Sequence, residues 1–453
     1  MPVGALRVRS LVDHPARFVV TVFVAAILVG TALLSLPVSS AQGRDTDVVT
    51  ALFTATSAVC VTGLTVVDTG QHWSGFGQGV ILALVQLGGL GFMTLVSLVV
   101  LLVSHRLGLR MALATTTERR TLRLGDVRRV LGGVAVVTVA MEVVVAVVLA
   151  VRFESSYGYG WGTATWHGVF HAVSAFNNAG FALYGDSLQR FATDVVVTAP
   201  MMAAIIVGGL GFPVLVDLYQ RRRSRHRWRH LSLHTRLTLS ATTVLLLAGF
   251  TVLMVFEWGN PETLGAEGTL DKVWLGLFSS VTPRTAGFDT VTTGAMTNEG
   301  LLATMGLMFV GAGSAGTSGG IKVGTFALLG LVIVAELRGE RDVVAFGRRI
   351  PEAVQRQATT VALLSVGVVA AATTHLLWVT DFPLRDTAFE AVSAFGTVGL
   401  STGITADLPA SGRLLLVALM LIGRLGPVTL GAALVLRHRA SLVRHPEEAP
   451  IIG

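Results

Sequence analysis

"FTATSAVCVTGLTVVD", residues 53–68, is an apolar stretch that runs about ten residues as a helix and stops at a glycine. Ten helical residues span about 15 Å, half of a bilayer's hydrocarbon core. Three further segments share its design: "FHAVSAFNNAGFALYGD" (170–186), "LFSSVTPRTAGFD" (277–289) and "FEAVSAFGTVGLSTGITAD" (389–407). Aligned on Gly63, Gly180, Gly287 and Gly399 they are spaced by 117, 107 and 112 residues, so the chain is an internal repeat. A helix too short to cross, ending in irregular backbone, reads as a re-entrant hairpin. Such backbone is tolerated at membrane depth only inside protein or beside water.

The surroundings agree with a membrane. Of 453 residues 52% are apolar and 13% charged, and mean hydropathy is +0.69, far above a soluble chain. Apolar runs at 18–37, 76–104, 130–151, 191–219, 237–258, 301–335, 358–379 and 414–436 predict eight crossings. The short segments fall between the members of each pair. The fold class is therefore an all-α integral membrane protein: four tandem repeats of membrane helix, pore helix and membrane helix (15–105, 125–222, 234–340, 355–440), with pseudo-fourfold symmetry around one pore. The first span follows three arginines and ends near Ser39-x-Ala41, as a signal peptide does, but its place in a repeat argues for retention.

Of 34 Lys and Arg, 25 lie in the first terminus, the 105–129, 220–236 and 336–357 loops and the tail, and only 7 in the opposite loops. The positive-inside rule then makes both termini cytoplasmic. It also accounts for the net charge of +7 without nucleic acid. The single cysteine, Cys60, excludes an intrachain disulfide and a cysteine metal cluster, and no metalloprotease, P-loop or nucleophile-elbow motif occurs. An enzyme is not expected. His167, His171 and His375 read as loop or packing residues, and Glu142 and Asp217, the intramembrane carboxylates a coupled symporter would need, do not repeat.

The residues before the four glycines are dissimilar: Cys60, Val61 and Thr62; Asn177, Asn178 and Ala179; Arg284, Thr285 and Ala286; Gly396, Thr397 and Val398. Side chains so unlike cannot make one ring of ligands. What they share is backbone, and glycine can turn carbonyl oxygens inward to replace the hydration shell of a monovalent cation. The alternative is glycines that only permit close helix packing, which leaves the repeated short helix unaccounted for. Asp68, Asp186, Asp289 and Asp407 follow the glycines; they either focus cations at an outer mouth or cap turns.

Each second span carries a further glycine element: "GGLGF" (88–92), "GGLGF" (208–212), "GAGSAG" (311–316) and "GRLGP" (423–427). In the third repeat it extends to "GAGSAGTSGGIKVGTF" (311–326). Ile321 separates Gly320 from Lys322, so no phosphate loop is present. A helix broken by Gly311, Gly313, Gly316, Thr317, Gly319 and Gly320 reads as a gate. Lys322 and Arg424 lie at membrane depth, where a cation costs about 2.5–3.5 kcal/mol unless compensated. Arg424 occupies the position of Gly89 and Gly209. It is expected to donate to carbonyls of the 311–320 loop and to add a barrier to cations, against a structural carboxylate pair as the alternative; Lys322 either does the same or snorkels.

With these motifs the chain resembles the Trk/Ktr/HKT superfamily of potassium transporters, most of all its KtrB-like membrane subunits, over residues 15 to 440. The resemblance implies K⁺ held by carbonyls beside the four glycines, no covalent cofactor, a homodimer, and a cytoplasmic ring of nucleotide-binding regulatory subunits similar to KtrA or TrkA. It also implies a bacterial-type cytoplasmic membrane and, with one filter glycine per repeat, weaker K⁺ over Na⁺ discrimination than in tetrameric potassium channels.

Overall fold

The computed structural model describes residues 15–90, 124–220 and 231–426. Among them the only sheet is a short hairpin, Val344–Ala345 against Arg348–Arg349; the rest is helix and connection. Four long outer helices, Pro15–Leu34, Leu124–Tyr157, Leu233–Glu257 and Glu352–Val379, open the repeats. Pore helices follow at Val48–Val59, Trp161–Phe176, Thr269–Val281 and Leu384–Gly396. Inner helices close each unit: Gly75–Leu90, Val195–Leu210, Asn298–Phe309 and Ala410–Leu425.

Local chemistry sets these boundaries. Asp47 accepts from the Val49 and Thr50 amides to start the first pore helix, and Ser232 and Thr297 accept from Thr235 and Gly300 to start the third outer and inner helices. The outer helices stay apolar where they are exposed: within the apolar window of the third, only 17% of residues are buried. That is what lipid contact requires. Exposed Trp161, Trp258 and Trp378 sit at helix ends, as interfacial tryptophans do.

The inner helices depart from the expected spans. Among the described residues only the four outer helices are long and apolar enough to cross unbroken. The 191–219 run is bent by 94° at Gly211, between Val195–Leu210 and Phe212–Gln220. Gly211 has φ +88°, and a Cβ there would meet the Ser314 carbonyl oxygen of repeat three at 2.4 Å. Only glycine allows that turn so close to another backbone. The fourth inner helix ends the same way, at Gly426 with φ +83°. Residues 310–322 separate Asn298–Phe309 from Val323–Leu337 in repeat three. A break expected in repeat three alone thus occurs in repeat two as well. The expected spans 76–104 and 414–436 continue outside the described residues.

Candidate functional site

The four pore helices end where the four glycines meet. A Cβ on Gly63 would stand 2.5 Å from the Ala179 oxygen, on Gly180 2.9 Å from that of Ala286, on Gly287 2.1 Å from that of Val398, and on Gly399 2.2 Å from that of Thr62. Each glycine is therefore pressed against the carbonyl that precedes the next glycine, and the order 1-2-3-4 closes on itself. All four glycines have positive φ, from +69° to +96°, and so do the residues two before them: Val61, Asn178, Thr285 and Thr397. Alternating handedness flips successive peptide planes and turns neighbouring carbonyls to one side. The negative ends of four helix dipoles point at the same place. Such a ring offers backbone oxygen to a cation and no room for side chains.

Side-chain hydroxyls in the last helical turn brace the ring. Ser57 Oγ accepts the Gly63 amide at 3.0 Å and Ser393 Oγ the Gly399 amide at 3.2 Å. Ser174 Oγ donates to Phe181 O and Thr282 Oγ1 to Phe288 O, both at 2.8 Å. Sequence reading passed over these four residues, although "SAV", "SAF" and "SAF" stand six positions before three of the glycines. The third repeat is one residue tighter, with Thr282 five before Gly287.

Side chains three before the glycines turn away from the ring into different surroundings. Cys60 is fully buried. Asn177 donates to Gln86 Oε1 (2.7 Å) and Glu142 Oε1 (3.2 Å), so Glu142 is a packing partner of the second pore helix. Arg284 donates to Thr242 O (3.4 Å) and Gly311 O (3.5 Å). Gly396 lies against Met308 O.

Below the ring lies the 311–320 loop. The inner-helix glycines Gly88, Gly208 and Gly423 each approach a pore-helix carbonyl (Val59, Phe176, Phe395) so closely that a Cβ would stand about 2 Å from it. This lets the loop come up beneath the pore helices. Its backbone is tied to repeat two by Gly313 N to Gly209 O (2.8 Å) and Thr317 N to Gly208 O (3.3 Å), and to repeat four by Gly320 N to Gly423 O (3.2 Å). The Thr317 hydroxyl hydrogen-bonds the Asn178 amide at 3.1 Å, and Gly319 leaves space for Thr397, so the loop touches ring residues from two repeats. Arg424, 1% exposed, donates to Thr317 O and, at 2.7 Å, to Gly88 O of repeat one. Lys322 donates to Ser318 O and Gly319 O.

Comparison with known proteins meets this geometry. A family model described as "Cation transport protein" (TrkH) matches residues 12–439. The chain belongs to the TrkH family. It is 36% identical to the Ktr system potassium uptake protein B of Bacillus subtilis, covering 97% of both chains, and 37% identical to the potassium/sodium uptake protein NtpJ of Enterococcus hirae, covering both fully. The crystal structure of the potassium transporter TrkH from Vibrio parahaemolyticus superposes with a TM-score of 0.71 at 17% identity, covering 91% of this chain and 84% of that one, which bears on the fold.

On the face of this TrkH-family ring opposite the loop is a vestibule of about 350 Å³, lined by all four glycines, by Asp68 and Asp289, and by Tyr184, Ser401 and Thr405. Asp68 also caps a short helix through the Gly70 and Gln71 amides (2.8 Å each). Asp186 pairs with Arg190 at 2.7 Å, and Asp407 ends a turn. Two of the four aspartates, Asp68 and Asp289, thus line the vestibule. Burial pushes the Asp289 carboxyl up to about 7, against the opposing hydrogen bond from Thr293 (2.7 Å). Asp217 accepts from Ser232 N and the Thr235 hydroxyl (2.8 Å each), a helix-start role. His167 bonds the Tyr184 hydroxyl (2.7 Å), and His171 bonds His167 O (2.7 Å) and accepts the Leu183 amide (3.3 Å), which braces the strand of chain after Gly180; His375 packs on Trp378. Among the described residues no group of three His, Cys, Asp or Glu is arranged to hold a metal ion.

Proposed function

We propose that this chain is the ion-conducting subunit of a potassium uptake system in a bacterial-type cytoplasmic membrane, with both termini inside. The glycine ring is its selectivity filter, coordinating K⁺ through backbone carbonyls of residues 60–63, 177–180, 284–287 and 396–399. The 311–320 loop with Lys322 and Arg424 is its gate. One observation carries the reading: each ring glycine abuts a carbonyl of the neighbouring repeat, so an ion on the axis meets four backbones and no side chain. The names of the Bacillus subtilis and Vibrio alginolyticus relatives, potassium uptake proteins of Ktr systems, support K⁺ as cargo. The same names support a partner, read here as a cytoplasmic nucleotide-binding subunit acting on a homodimer of this chain.

The test is K⁺ or Rb⁺ influx into proteoliposomes, in K⁺ and in Na⁺ gradients, beside Gly63→Asp. Influx down the K⁺ gradient without Na⁺, lost or made unselective by the substitution, is the expected result. The potassium/sodium uptake protein similar to this chain keeps one second reading in play, a Na⁺-coupled symporter. Flux that requires Na⁺ or a proton gradient would establish coupling, and equal flux in both proteins would remove the ring as filter.

A further inference from the structure

Arg284 adds a third contact between ring and loop, and it is the one made by a charged side chain of a ring residue. Its backbone belongs to the third wall of the ring, between the pore helix and Gly287. Its guanidinium, 5% exposed, leaves the ring and donates to Gly311 O, the first carbonyl of the loop, and to Thr242 O of the third outer helix. Among the described residues no carboxylate pairs with it, and both of its acceptors are backbone carbonyls. It also borders a cavity of about 20 Å³ shared with Gly209, Thr242 and Ala312.

In the other three repeats the residue at this position does not reach the loop's first carbonyl: Cys60 is packed, Asn177 is turned to Gln86 and Glu142, and Gly396 has no side chain. The two Arg284 contacts, at 3.4 and 3.5 Å, sit at the outer limit of a hydrogen bond, whose usual length is about 2.9–3.0 Å. A displacement of a few tenths of an ångström makes or breaks them. An ion in the ring draws the carbonyls of residues 284–287 to itself and so fixes the backbone from which the Arg284 side chain projects; an empty ring leaves that backbone to relax.

We propose that Arg284 is a positioning residue that couples ion occupancy of the ring to the position of the 311–320 loop, through its contact with the Gly311 carbonyl. The proposal rests on the reading of ring as filter and loop as gate.

The experiment places spin labels at Ser314→Cys in the loop and Glu352→Cys at the start of the fourth outer helix; the native Cys60 is buried and does not label. Interlabel distances are measured in saturating K⁺ and in choline, alongside Rb⁺ binding to the same protein. In the otherwise native chain K⁺ is expected to shift the ratio of the two distance populations by roughly tenfold, the size of losing one charge-assisted hydrogen bond. Arg284→Gln, which keeps the residue's backbone carbonyl in the ring, should show no K⁺-dependent shift, with its Rb⁺ binding read alongside, and Arg284→Lys should restore part of the shift. If Arg284→Gln binds Rb⁺ and follows K⁺ as the parent does, the coupling is overturned and the filter stands. If the parent binds no Rb⁺, the filter reading itself falls, and the coupling with it.

Discussion

In the ring, irregular backbone is held by short hydroxyls one helical turn away; in the loop beneath it, irregular backbone is held by backbone carbonyls of repeats two and four and by the long side chain of Arg424, all arriving from elsewhere. Ser57, Ser174, Thr282 and Ser393 belong to the same short segments they brace. Arg424, which grips Thr317, comes from repeat four and reaches repeat one with its other nitrogen. A support that is local in sequence keeps one geometry. A support from distant elements can be withdrawn when those elements move, which suits a gate and would ruin a filter.

The comparison breaks first if equal clashes have equal effects. An added Cβ at Gly287 meets Val398 O at 2.1 Å, and one at Gly313 meets Leu210 O at the same 2.1 Å. Gly287→Ala, which also strains a residue at φ +71°, is expected to abolish K⁺ influx. Gly313→Ala should raise it, because the clash unseats the loop rather than the ring. Influx assays on the two folded proteins decide the matter; loss in both would mean that the loop is part of the filter's support.

Next in size is the grip itself. Arg424→Ala removes a buried charge and its two carbonyl contacts, each worth about 1.5–3 kcal/mol, so the loop's present arrangement should lose at least about tenfold in population and, if the loop is the gate, cation flux should rise. Unchanged flux in a protein that still folds would leave Arg424 a structural residue only.

A smaller effect is expected from the hydroxyl braces. Ser393→Ala removes one hydrogen bond to Gly399, worth about 1 kcal/mol, and should lower K⁺ over Na⁺ selectivity by about fivefold at most while total flux persists. Ion competition in the influx assay measures it. A loss of all flux would mean that the braces hold the pore helix, not only the ring.

What could be read beforehand follows the same division between local and distant. The glycines at 63, 180, 287 and 399 and their short helices were legible because a period and a helix too short for the bilayer both lie within one segment. The hydroxyls at 57, 174 and 393 are equally local, six positions before their glycines, but a serine inside an apolar helix carries no signal of its own until the amide or carbonyl it bonds is known. The bend at Gly211 was not legible: "GGLGF" in repeats one and two is the same string inside a continuous apolar run, and the backbone that the turn packs against, at Ser314, belongs to another repeat. The position of Arg424 marked it as facing the axis. Its contact with Gly88 O, 336 residues away, exists only once the four repeats have closed.

The vestibule supplies the smallest effect and the one that separates its two lining aspartates. Asp68 spends its carboxylate on a helix start, whereas Asp289 has its carboxyl raised to about 7 by burial, with the Thr293 hydrogen bond pulling the other way. The charge is present above pH 7 and lost as the pH on the vestibule side falls through it. A unit charge several ångströms from an ion in a water-filled mouth is worth about 0.5–1 kcal/mol, so K⁺ influx should drop roughly two- to fivefold between pH 8 and pH 6. Asp289→Asn should give the low-pH rate at every pH, while Asp68→Asn should keep the pH dependence. A pH profile that survives Asp289→Asn would assign the titration to another group and leave Asp289 a turn residue like its counterparts.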